Sequence, residues 1–232
     1  MPKVTFSYDR HKDVWSWVRI AQDRDESWGT NWRKENQHIP DFLLDKILKA
    51  SKEDAIRMVE KHFSTSEYQQ YKESIMSAEI DSLTNIWQTK EKEFFKILEN
   101  ISQKPIYQNV FPCYFTTGFM CPYKTNEKPN WFMVSIWKGI PFWITTICHE
   151  ILHLQFIYYW RDEITAKIGK EKFEILKESL TFLLDEDEFD NIILSEDKGY
   201  PNHQALRKEL SEFWQKNKNF NGLVEFGIKK LS

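Results

Sequence analysis

The chain has 232 residues, 41% of them apolar, and a formal net charge of −3. That suffices for one domain, or one with a helical extension, and argues against a nucleic-acid partner. Seven Gly and eight Pro in the whole chain argue against disorder and against a turn-rich all-β fold. Cys113, Cys121 and Cys148 lack close-pair metal spacing, and Met1-Pro2-Lys3-Val4 is not a basic-then-apolar leader, so a soluble, reducing, cytoplasmic setting is expected.

Val4, Phe6 and Tyr8 alternate with Thr5 and Ser7, which predicts a short strand. A helix follows over Asp13–Ala21. Gln22–Pro40 is polar, with Trp28 and Trp32 as anchors on a loop. Asp41–Ala50 is helical, and Ser51 through Asp54 resembles a capping box opening the next helix. From Ser64 onward a long helix carries Tyr68, Tyr71, Ile75, Ile80, Leu83, Trp87, Phe94, Leu98 and Ile101 near three-and-four spacing, with a break expected near Thr89–Lys92. His11, His38 and His62 are isolated and read as structural or surface residues.

Pro105 marks a change from helical to extended pattern. Ile106–Phe119 is rich in strand formers. In Trp131–Lys138, Trp131, Met133, Ser135 and Trp137 face one way and Phe132, Val134 and Ile136 the other. Ile140–Trp160 is long and apolar enough for a membrane span, but His149, Glu150 and His153 near its middle favour a buried central helix. Lys170–Leu184 is a second helix with a Phe173, Leu176, Leu180, Leu183 stripe. Asp185–Asp190 reads as a solvated acidic helix end. Asn202 can cap a helix from His203 to about Lys216, and Leu223–Leu231 closes the chain.

The stretch Thr145–Gln155 contains His149-Glu150-Ile151-Leu152-His153, an H-E-x-x-H motif. Four residues make about one helical turn, so both imidazoles leave one face. Two neutral histidine nitrogens at that spacing can grip one Zn²⁺, leaving room for a third ligand and a water. Glu150, next to the first ligand, can take a proton from that water. About 0.01–0.02 such matches are expected by chance from the chain's His and Glu content.

These residues resemble the active-site helix of the zincin metallopeptidases, over about ten residues. Thr146 and the uncharged Ile147, Cys148, Ile151, Leu152 and Leu154 suit the longer zincin pattern; Gln155 departs mildly. Phe156 and Tyr159 stand where the metzincin branch has Gly and His. The resemblance is therefore gluzincin-like, and it implies a third ligand from a Glu on a following helix. Glu178, 25 positions after His153 (178 − 153), fits that role; Glu174 is its competitor one turn earlier and Glu171 a third choice. Gluzincins often supply an oxyanion donor from a downstream His or Tyr, which points to His203 or Tyr200, with Arg207 one turn after His203. Zincins bind extended peptide on a strand at the cleft edge. Trp131–Lys138 is the corresponding candidate, with an ordinary core strand as the alternative.

The expectation is thus an α+β protein. Residues 105–232 form a zincin-like domain with a small mixed sheet and an active-site helix. Residues 1–104 form a mostly helical region whose first strand can join that sheet. The implied function is zinc-dependent hydrolysis of peptide bonds in a peptide or protein substrate. A metal-dependent amidase and a non-enzymatic binding scaffold are the alternatives.

Overall fold

The computed structural model describes residues 1–22 and 39–232. Trp28, Trp32 and His38, and the side chain of Tyr68, lie outside the described residues. The alternating N-terminal stretch forms β1 (Lys3–Tyr8). It is followed by α1 (Arg10–Gln22), α2 (Asp41–Ile47), α3 (Lys52–Thr65), α4 (Glu67–Gln88) and α5 (Glu91–Ser102). Ser51 caps α3: its hydroxyl oxygen accepts the Asp54 N–H at 3.1 Å, satisfying a donor that the helix cannot. The long helical pattern divides in the polar cluster expected to break it. At the break, Glu91 accepts the Trp87 indole N–H at 2.9 Å and the Val4 backbone N–H at 2.6 Å. The helix pair is thereby tied to the first strand.

The second half contributes β2 (Val110–Thr116), β3 (Tyr123–Lys124), β4 (Trp131–Ser135), α6 (Ile140–Ile168), α7 (Lys170–Ser179), α8 (Gln204–Asn217) and α9 (Phe220–Leu231). The four strands form one mixed sheet in the order β1-β2-β4-β3. β1, β2 and β4 are parallel and β3 is antiparallel. The architecture is α+β, mostly helical. Among the described residues no helix is long and apolar enough to cross a membrane.

β4 lies between β2 and β3, and all its residues are buried. The strand within Trp131–Lys138 ends at Ser135; its five residues are buried, as in a core strand, and β3 pairs with it only at Trp131 and Phe132. Apolar side chains on both of its faces are what a strand covered on both sides needs. Phe132 and Val134 join the main core with Phe111, Cys113 and Phe115 of β2 and Ile144, Ile147, Cys148 and Ile151 of α6. Trp131 turns the other way and meets Trp15 of α1 edge-on at 5.5 Å.

The change of pattern at Pro105 does not divide the packing. Val4 of β1, Met76, Leu83 and Trp87 of α4, and Phe94, Phe95 and Leu98 of α5 belong to the same core as α6 and α7. A second, smaller cluster joins α1, α2 and α3 through Val14, Trp17, Leu43, Ile47, Val59 and Phe63.

Asp13 of α1 fastens that smaller cluster to the sheet. It is fully buried and accepts the Thr117 N–H at 2.8 Å and the Thr116 and Thr117 hydroxyls at 2.6 and 2.8 Å. Burial pushes its carboxyl up to about 6, against the hydrogen bonds from Thr116 and Thr117. Asp13→Ala leaves those donors without their acceptor, and an expected loss of about 2–4 kcal/mol is read from chemical denaturation. The raised value also fixes a sign. The carboxyl favours the folded chain below the ordinary aspartate range, and that advantage is lost as pH rises through about 6. Asp13→Asn should remove this component of the pH dependence of the melting temperature.

Candidate metal centre

α6 is the axis of the site. It opens at Gly139 with Pro141 in its first turn, and it closes at Gly169, whose φ of 85° ends the helix. Between these limits it holds no Gly, and after Pro141 no Pro. Buried residues from Trp143 to Ile164 surround it on all sides, as expected for a helix inside a core. His149, Glu150 and His153 are polar groups in that apolar setting, so their partners decide what the segment does.

α7 returns beside α6 and brings Glu178 to the two histidines. Glu178 Oε2 lies 3.1 Å from His153 Nε2 and 3.6 Å from His149 Nε2. The three groups each offer a donor atom within 4.8 Å of the others. The Glu178 side chain is only 5% exposed. Glu174, one turn earlier, is turned aside and accepts from Lys177 at 2.7 Å; Glu171 is exposed. Just after Glu178 the α-helix tightens into a 3₁₀ turn, Leu180–Asp185. There the Thr181 hydroxyl and Arg207 both donate to the Glu178 carbonyl, at 2.9 and 3.4 Å.

The electrostatics suit neutral nitrogens and an ionised oxygen. Burial carries His153 down to about 3, so it is a neutral imidazole. Burial acts against ionising Glu178 as well, but the Lys177 charge and hydrogen bonds from His149 and His153 outweigh it and hold the carboxyl well below the usual range. For His149, burial opposes the charged ring, yet Asp197 and Glu178 outweigh it and hold the ring well above the ordinary histidine range. A cation drawn to Glu178 would replace the proton on the His149 nitrogen that faces it.

Asp197 gave no signal in the sequence. Its Oδ2 lies 2.5 Å from His149 Nδ1, which leaves Nε2 turned toward Glu178. Arg207 holds Asp197 from behind: it donates to the Asp197 carbonyl and, at 3.2 Å, to Asp185. The acidic run is thus partly structural rather than solvated, since Asp185 also accepts the Asp197 N–H at 2.8 Å and Glu186 pairs with Lys218 at 2.9 Å. Carboxylate partners that orient a metal-binding histidine typically matter ~10–100-fold in metal affinity. Asp197→Asn should weaken zinc binding by about that factor, measured by chelator competition.

Glu150 points into a cleft of ≈ 550 Å³ that includes His149, Thr146, Phe119, Met120, Phe142 and Tyr200 in its lining. Its Oε2 is buried and has no hydrogen-bond partner among the described residues. Burial pushes the carboxyl up to about 7, as suits a group that takes and returns a proton near neutrality.

The two residues proposed as oxyanion donors part company. Tyr200 lines the cleft; burial, then the nearby Glu178 and Glu150, hold its phenol well above the usual tyrosine value, so it keeps its proton. His203 is buried behind it, with its ring edge-on to Tyr200 at 5.6 Å, and does not line the cleft. The reason is local. Tyr200 precedes a 3₁₀ turn, Pro201–His203, which feeds directly into α8. That turn brings the His203 ring against the tyrosine and puts His203, not Asn202, at the capping position just before the helix.

Compared with protein-family models, with curated proteins and with solved structures, the chain matches none.

Proposed function

We propose that this protein is a zinc-dependent, zincin-like metallopeptidase with a gluzincin-type ligand set. The reading is carried by one observation: His149, His153 and Glu178 converge from two helices, and His149 lines an open cleft together with Glu150. The donor set fits the metal. Two imidazoles and one carboxylate are a three-ligand set that leaves a position for water. Glu150, whose buried Oε2 has no hydrogen-bond partner among the described residues, lines the same cleft as His149.

When bound there, zinc supplies Lewis acidity toward the scissile carbonyl and a water of lowered pKa. His149, His153 and Glu178 hold the ion, and Asp197 keeps the His149 ring turned toward it. Glu150 takes the proton of the attacking water and returns it to the leaving amine. Tyr200 donates its phenolic proton in a hydrogen bond to the developing oxyanion. The cleft of ≈ 550 Å³ leaves room for a substrate beside Glu150; the choice of a peptide or protein rests on the resemblance of the H-E-x-x-H stretch to the zincin helix.

The test is metal analysis together with cleavage of a peptide library. The purified protein should hold about one zinc per chain and should cleave peptides in a chelator-sensitive manner. Protein that neither contains zinc nor takes it up would end the reading.

A further inference from the structure

Lys177 is a lysine where an apolar side chain would be expected. With Phe173, Leu176 and Leu180 it follows the three-and-four spacing of the inward face of α7, and its side chain is only 1% exposed. A buried ammonium is costly unless all three of its N–H groups are used. Here three oxygens surround it: it donates to Tyr123 Oη at 2.6 Å and Glu174 Oε2 at 2.7 Å, and it forms an ion pair with Glu178 Oε1 at 3.0 Å. The two oxygens of Glu178 are therefore divided. Oε1 is held by Lys177, and Oε2 is the one that faces the two histidine nitrogens.

We infer that Lys177 is a positioning residue that makes Glu178 a one-oxygen ligand, keeping a coordination position open for the catalytic water. The inference rests on the metal-site reading above and deepens it. A carboxylate free to rotate can offer both oxygens to a cation. With two histidines already bound, the second oxygen would occupy the place the water needs. Lys177 prevents this by engaging Oε1 from the side away from the histidines. Its positive charge would otherwise oppose a nearby dication, and Glu174 offsets that charge without reaching the metal position. Glu174 thus has a function in the site although it is not among the converging donors. Tyr123 of β3 completes the ammonium's shell and anchors it to the sheet.

The experiment uses the full chain loaded with Co²⁺, whose visible absorption is intense when four-coordinate and intermediate when five-coordinate. The wild type should show the intense spectrum, and Lys177→Met should lose about half of it or more. Lys177→Gln, which can still donate to Oε1, should keep most of it. Melting curves of the metal-free variants separate this effect from simple destabilisation. Should Lys177→Met not fold, zinc X-ray absorption of the wild type decides the question: one carboxylate oxygen from Glu178 is expected, and two would overturn the proposal. Equal cobalt spectra for wild type and a folded Lys177→Met would overturn it too, while leaving the metal site intact. A wild type that takes up neither Co²⁺ nor Zn²⁺ would instead overturn the metal reading and this inference with it.

Discussion

Glu150→Gln should lose peptide cleavage by ~10²–10⁴-fold, the usual cost of removing a general base, while zinc content and melting temperature stay near wild type. The reason is the separation of roles in α6. His149 and His153 face Glu178, whereas Glu150 faces the cleft. Among the described residues its Oε2 has no hydrogen-bond partner to lose, and glutamine keeps its size and polarity. The amide cannot accept the proton, so only the chemical step should suffer. His149→Ala should differ by removing metal and activity together. Zinc quantification, a melting curve and a peptide library on both variants make the comparison. Equal cleavage by wild type and Glu150→Gln would show that the peptidase mechanism is wrong.

Glu178→Ala should weaken zinc binding by more than the ~10–100-fold that loss of a supporting partner costs, whereas Glu174→Ala should stay within or below that range. Both glutamates lie on α7, one turn apart, but their surroundings differ. Glu178 Oε2 meets both histidine nitrogens, at 3.1 and 3.6 Å. Glu174 meets only Lys177, at 2.7 Å, and is 25% exposed. Removing Glu174 leaves Lys177 less compensated, which predicts a modest loss. Removing Glu178 takes away a ligand and strands Lys177 in the core as well, so its melting temperature should also fall. The measurement is chelator competition on both variants. If Glu174→Ala loses the metal and Glu178→Ala retains it, the ligand assignment is reversed.

By itself the sequence determined most of the elements, though not the two-residue β3 or the 3₁₀ turns, and half of the candidate site. Helical spacing put His149 and His153 on one face, because four residues make about one turn. Alternation marked β1 and β4, the polar cluster marked the break between α4 and α5, and Ser51 marked the start of α3. These are local properties, legible because backbone geometry repeats over a few residues. Only the tertiary structure decided which distant groups meet them. Nothing local distinguishes Glu178 from Glu174; the angle at which α7 returns against α6 does. Asp197 lies 48 residues from His149 on a segment without pattern, and it reaches the ring where Arg207 and Asp185 hold its backbone. Tyr200 and His203 were equivalent candidates until the turn at Pro201 aimed one at the cleft and buried the other. β4 read equally well as a cleft edge or a core strand, since its alternation is the same in both; the folded chain buries all five of its residues and pairs β3 with the first two. Lys177 did leave a mark, a charge at an apolar position of the α7 stripe, but its meaning depended on three oxygens that only the folded chain brings together.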